Sequence, residues 1–168
     1  MNLIKIVENQ LLTFEAMNTY LIEIEAILNS CTITPISSNP NDLTALNPSH
    51  FLIGDALTSI PEKDVTDLAI SKLNMWQHIR RLRQHFWTRW HTDYLNQLAV
   101  RSKWHTREPT ELRTGSLVII KEDHVLQFCW PLERITALHP RDDQVTRVAT
   151  AKTENGEYKR CIRNLAPI

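Results

Sequence analysis

The sequence predicts an α+β protein in which an amphipathic N-terminal helix and a long connecting helix precede a small five-stranded β-barrel. Three patterns carry that reading. Apolar residues recur at steps of three and four between Phe14 and Leu28. Residues 68–102 contain neither proline nor glycine, and their apolar side chains fall on one broad helical arc. Beyond Gly115 the period shortens to β-branched runs separated by turn residues.

The first helix is expected over residues 14–30. Phe14, Met17, Leu21, Ile24 and Leu28 form its stripe, Thr13 stands at the N-cap position, and Glu15 in the first turn favours the helix dipole. A lone helix cannot bury such a stripe, so it must dock. The thirteen residues before it are too few to supply a core, so its partner is expected to be a second copy, the wide face of the next helix, or a neighbour lost from the N-terminal side. Residues 35–67 hold Pro35, Pro40, Pro48 and Pro61 among many Ser, Thr, Asn and Asp. They read as a loop packed over a surface by Leu43, Leu46, Phe51, Leu52, Ile53 and Leu57.

The connecting helix is expected over 68–106. Leu73, Trp76, Ile79, Phe86, Trp87, Trp90, Tyr94 and Leu98 occupy its apolar arc, wide enough for two packing partners. Arg83 projects from the middle of that arc and must reach an acid or a carbonyl, because an unpaired buried charge is too costly. Residues 107–168 supply the barrel. Its strands are SLVIIK (116–121), a run around Pro131 from Trp130 to Leu138, Val145–Thr153, a segment at Tyr158 after the turn Glu154-Asn155-Gly156, and Cys161–Leu165. Five short strands manage their exposed edges best by closing.

Charge is divided along the chain. Residues 1–66 carry two basic and eight acidic side chains, and residues 67–168 carry seventeen and eleven, so a formal net charge of +0 hides halves of −6 and +6. The basic half is expected to meet a polyanion. Arg81, His85 and Arg89 share one polar arc of the helix and could touch successive phosphates; Lys121, Lys159, Arg160 and Arg163 add cations from the barrel. No base-reading motif accompanies them, so weak, sequence-independent DNA binding is expected. The acidic half opposes it, and residues 67–168 alone should bind more tightly. Trp76, Phe86, Trp87 and Trp90 could stack on bases, but their helical spacing favours core packing.

Catalysis finds little support. Three scattered glycines leave no phosphate loop, and no HExxH or GxSxG occurs. His78 and His85 share a helix face without a third ligand, Asp142-Asp143 reads as a turn, and Cys31, Cys129 and Cys161 are too scattered for a zinc knuckle or disulfide framework. No metal or cofactor is expected. No apolar run is long enough to span a membrane and no signal segment opens the chain, so an intracellular location is expected.

Longer motifs add to these patterns. LTFEAMNTYLIEIEAILNSCTITPISSNPNDLTALNPSHFLIGDAL (12–57) resembles the end of the integrase region in Pol polyproteins of Pao/BEL-type LTR retrotransposons. LNMWQHIRRLRQHFWTRWHTDYLNQLAVRSKW (73–104), GSLVIIKED (115–123), WPLERITALHP (130–140) and NGEYKRCIRNLAPI (155–168) resemble the domain that follows it there. Cys31 stands where that family usually has Arg, and Ser116 where Asp is usual. The resemblance implies that 1–34 hold the last helix of a catalytic core, 35–67 a loop, 68–106 a connecting helix, and 107–168 an SH3-like barrel. It implies a non-catalytic part in DNA integration, with partners in DNA, a sister subunit or the integrase core, and a nuclear site of action. The family's catalytic acids lie upstream of Leu12, so none carries over. A different reading is a protein-interaction module, degenerate or domesticated, that binds a peptide or a sister subunit.

Overall fold

Thr13 opens the first helix, α1 (Phe14–Asn29), by accepting the Ala16 amide on its hydroxyl at 3.2 Å. The structure is a computed structural model that describes residues 12–58, 60–104, 112–122, 125–140 and 146–168, with 99–104 as backbone. The helix buries Ala16, Tyr20, Ile24 and Ile27. This corrects the expected stripe: Phe14, Leu21 and Leu28 are 84%, 47% and 39% exposed. Both arcs are apolar, and the rotation is set by what α1 meets. Arg83 of the long helix takes Glu23 at 3.2 Å, and small Ala16 permits close approach beside Tyr20.

Residues 30–74 are more ordered than a plain loop. Strands β1 (Thr34–Pro35) and β2 (Ala45–Leu46) pair antiparallel, and a short helix, α2 (Ser49–Ile53), ends at Gly54 with φ 78°. Phe51, Leu52 and Ile53 are exposed, contrary to expectation, and Val65 anchors this segment instead. A 3₁₀ turn (Ile70–Lys72) leads to the long helix, α3 (Met75–Trp104). The helix begins later than residue 68 because Asn74 caps it. Its side chain accepts the Gln77 amide at 2.9 Å, while Gln77 accepts the Asn74 amide at 3.0 Å.

Both packing partners expected of α3 are present. Ile79, Leu82, Phe86 and Trp87 pack on α1, while Leu95 packs on Ile119 and Ala166 of the sheet. Arg83 reaches Glu23 and Glu62, as its position on the arc requires. Trp76, expected on the apolar arc, is exposed.

The last third forms one antiparallel sheet in the order β6-β5-β4-β3-β7. Its strands are β3 (Leu117–Ile120), β4 (Leu132–Pro140), β5 (Thr146–Thr153), β6 (Gly156–Cys161) and β7 (Leu165–Pro167). The expected hairpin turn is at Glu154-Asn155, with Thr153 paired to Gly156. β4 runs through His139 to Pro140, and the turn expected at Asp142-Asp143 lies outside the described residues. Alternation assigns the faces. Val118, Ile120, Ile135, Ala149 and Leu165 make the sheet's own core with Leu112. Ile119, Ala166 and Leu132 turn the other way, toward Leu95 and Tyr94 of α3.

The N-terminal third is bolted to this sheet. Buried Arg134 donates to the Ser37, Asp42 and Gly115 carbonyls at 3.1, 2.7 and 2.8 Å, and Lys152 reaches the Asn41 side chain at 2.6 Å. Trp130 donates its indole N–H to the Ser30 hydroxyl at 3.3 Å.

Candidate nucleic-acid interface

The α3 face turned away from α1 and the sheet carries the basic row. His85, Thr88, Arg89, Thr92 and Asn96 are all exposed, at spacings of three and four that keep them on one side. Arg81 stands one turn earlier and donates its Nε–H to His85 Nε2 at 3.4 Å. Burial lowers the His85 pKa, with the Arg81 guanidinium as the next cause, against the nearby carboxylates of Asp64 and Asp67, which raise it.

The row continues onto the sheet. Asn96, two turns beyond Arg89, accepts the Lys121 ammonium at 3.2 Å. Lys121 follows β3, and its amide donates to the Asn164 carbonyl at 2.8 Å, which brings exposed Arg163 to the same corner. The fold therefore aligns His85, Arg89, Lys121 and Arg163 along one edge. From His85 to Asn96 the helix covers about 16 Å, enough for several phosphates along a backbone.

The remaining two cations stand elsewhere. Lys159 is exposed on edge strand β6, on the opposite side from its neighbour Arg160. Arg160 faces the sheet core, opposite buried Ala149. Its guanidinium takes both carboxylate oxygens of fully buried Glu133, at 2.9 to 3.4 Å, with Glu122 at 3.8 Å and the Tyr158 ring at 5.4 Å. The hydrogen bonds it donates to Glu133 raise its pKa still further. Arg160 is committed to the fold, and its charge is already balanced.

The aromatic residues are mostly structural. Phe86 and Trp87 are buried; Trp87 donates to the Val125 carbonyl at 2.9 Å, and Trp90 donates to Cys31 Sγ at 3.4 Å. His91 lies between Trp87 and Trp130, with ring centroids 5.2 Å from each, and burial pushes its pKa down, so it adds no charge to the row. Among the described aromatic residues of α3, Trp76 is the one left exposed for stacking.

One feature escaped the sequence pattern. A cleft of about 450 Å³ beside α3 is lined by Glu62, Asp64 and Asp67 as well as His85 and Arg89. Acids far from the helix in sequence thus border its basic row. Among the described residues no group of three or more His, Cys, Asp or Glu could hold a metal ion, and no helix is long and apolar enough to cross a membrane.

No curated protein matches the chain, and no solved structure matches it. A model of a family of unknown function, DUF5641, matches residues 74–168, from the Asn74 cap of α3 to the end of the chain. That span covers more than half of the 168 residues and takes in α3 and the whole sheet, and the chain belongs to this family.

Proposed function

We propose that the chain is a non-catalytic C-terminal part of a retroelement integrase, contributing sequence-independent DNA binding and subunit assembly. The observation that carries the reading is the continuous edge from His85 and Arg89 through Asn96 to Lys121 and Arg163. Exposed Arg89 and Arg163 with half-buried Lys121, and no base-reading element, suit a phosphate backbone. The SH3-like barrel of this proposal is supported by the strand order: a four-strand meander, β3 to β6, followed by a fifth strand, β7, that returns beside β3 after the 3₁₀ turn Ile162–Asn164. Such a part acts in the nucleus and needs its catalytic acids from elsewhere.

Fluorescence anisotropy on unrelated duplexes at several salt concentrations tests the reading. Replacing Arg89 and Arg163 together with Ala should weaken binding to all sequences alike and flatten the salt slope by roughly 1 to 2 units. No binding by the intact chain at low salt, or strong preference for one duplex, would refute it.

The exposed arc of α1 supports the assembly half and, by itself, the interaction-module reading. Phe14, Leu21, Ile22 and Leu28 face solvent while the opposite side of the helix is docked. Leu21→Asp should leave the melting temperature within a few degrees and reduce self-association in sedimentation velocity. Ile24→Asp, on the docked side, should unfold the protein. Equal sedimentation of the wild type and Leu21→Asp as monomers would remove α1 from assembly.

A further inference from the structure

α3 carries more cations than are open to a ligand. Arg80 and Arg83, off the side that bears Arg81, His85 and Arg89, are held by Glu62 of the segment 60–67. That segment is fastened at three points. Glu62 pairs with Arg80 at 3.1 Å and also contacts Arg83. Val65 is only 2% exposed. Gln84 clamps the backbone on both sides of Asp64, accepting the Val65 amide at 3.0 Å and donating to the Lys63 carbonyl at 3.1 Å. Asp64 also shapes the segment, accepting both the amide and hydroxyl of Thr66 at 2.8 and 2.7 Å. The result holds Asp64 and Asp67 beside His85 and on the border of the cleft that contains Arg89.

We infer that residues 60–67 are an acidic strap that closes Arg80, Arg83 and the His85 end of the α3 row to phosphate and directs a nucleic-acid backbone to the stretch from Arg89 through Lys121 to Arg163. The inference rests on the DNA-binding reading and adds which cations the backbone reaches. Like charges repel over about a Debye length, 8 to 10 Å at ordinary salt, which spans more than one helical turn from the strap acids. Arg80 and Arg83 are already paired, so a phosphate there would have to displace Glu62. Arg89 still borders the cleft; beyond it Thr92, Asn96, Lys121 and Arg163 continue the row, with no described acid paired with Arg89 or Arg163.

The test uses the full chain and a short labelled duplex, read by anisotropy at low and moderate salt. In the wild type, Arg89→Ala should weaken binding roughly threefold to tenfold, whereas Arg80→Ala should change it less than about twofold. Asp64→Asn combined with Asp67→Asn keeps the side-chain shape and the Thr66 contacts. This variant should bind roughly threefold to tenfold more tightly at low salt, with the gain shrinking as salt rises. Its melting curve should match that of the wild type. Equal losses from Arg80→Ala and Arg89→Ala, or unchanged affinity in the double Asn variant, would overturn the strap while leaving DNA binding intact. No binding by either the wild type or the double Asn variant would overturn DNA binding and the strap with it.

Discussion

Cutting the chain to residues 74–168, the segment matched by the family, is expected to abolish cooperative unfolding. The cut removes α1, whose Tyr20, Ile24 and Ile27 pack on Ile79, Leu82, Phe86 and Trp87. Burying a side chain of this size stabilises by about 1.5 to 3 kcal/mol. Three together contribute roughly 5 to 9 kcal/mol, against a total stability of about 5 to 15 kcal/mol for an ordinary domain. The cut also takes away the Ser37 and Asp42 carbonyls that Arg134 holds, leaving a buried guanidinium short of acceptors. The full chain should melt in one transition, and the fragment should melt broadly and bind a hydrophobic dye. A fragment that melts as sharply as the full chain, at a similar temperature, would show that α1 is dispensable. Because the same packing ties α1 to α3, the expected gain in DNA binding on removing the acidic half is best measured by neutralising its acids in the full chain.

The second large effect is expected at Arg160. Arg160→Leu strands the Glu133 carboxylate at 0% exposure among the apolar residues of the sheet core. Breaking a buried pair by removing one partner costs about 3 to 5 kcal/mol, whereas replacing both with apolar residues is often neutral. Adding Glu133→Leu should therefore recover most of the loss, and urea melts of the two variants measure it. Arg163→Ala, an exposed change in the 3₁₀ turn, should stay within about 0.5 kcal/mol. Equal stability of the single and double variants would mean that the carboxylate is satisfied without Arg160.

The pattern of the candidate site was legible to different depths. Arg81, His85 and Arg89 were aligned by helical spacing alone, because α3 is one unbroken helix and its period settles which residues share a side. The link from α3 to Lys121 and Arg163 was not legible, since it depends on Asn96 meeting the end of β3. The strap was not legible either. Its acids precede α3 in a stretch with no periodic pattern, and the contacts of Glu62, Val65 and Gln84 fold them back over the helix. One signal was present and overlooked: Asn74 and Gln77 have the spacing of a reciprocal cap, which would have started α3 at the right residue.

The last strand, expected over Cys161–Leu165, is instead a 3₁₀ turn at Ile162–Asn164 followed by β7 at Leu165–Pro167. By itself the sequence determined the α+β order, the existence and span of α1, the two partners of α3, and the other four strands of the sheet with their Glu154-Asn155 turn. These follow from local periodicity and turn chemistry, which neighbouring residues fix among themselves. Tertiary structure decided the rotation of α1 and the side of the sheet on which each of its cations lies. Both of its arcs are apolar, so only docking against Arg83 and the aromatic residues of α3 could choose between burying Leu21 and burying Tyr20. Likewise, a one-residue change of strand register moves a side chain to the opposite face. The pairing of Arg160 with Ala149, beyond the irregularity between Ile135 and Ala137, turned Arg160 inward to Glu133 and left Lys159 facing out.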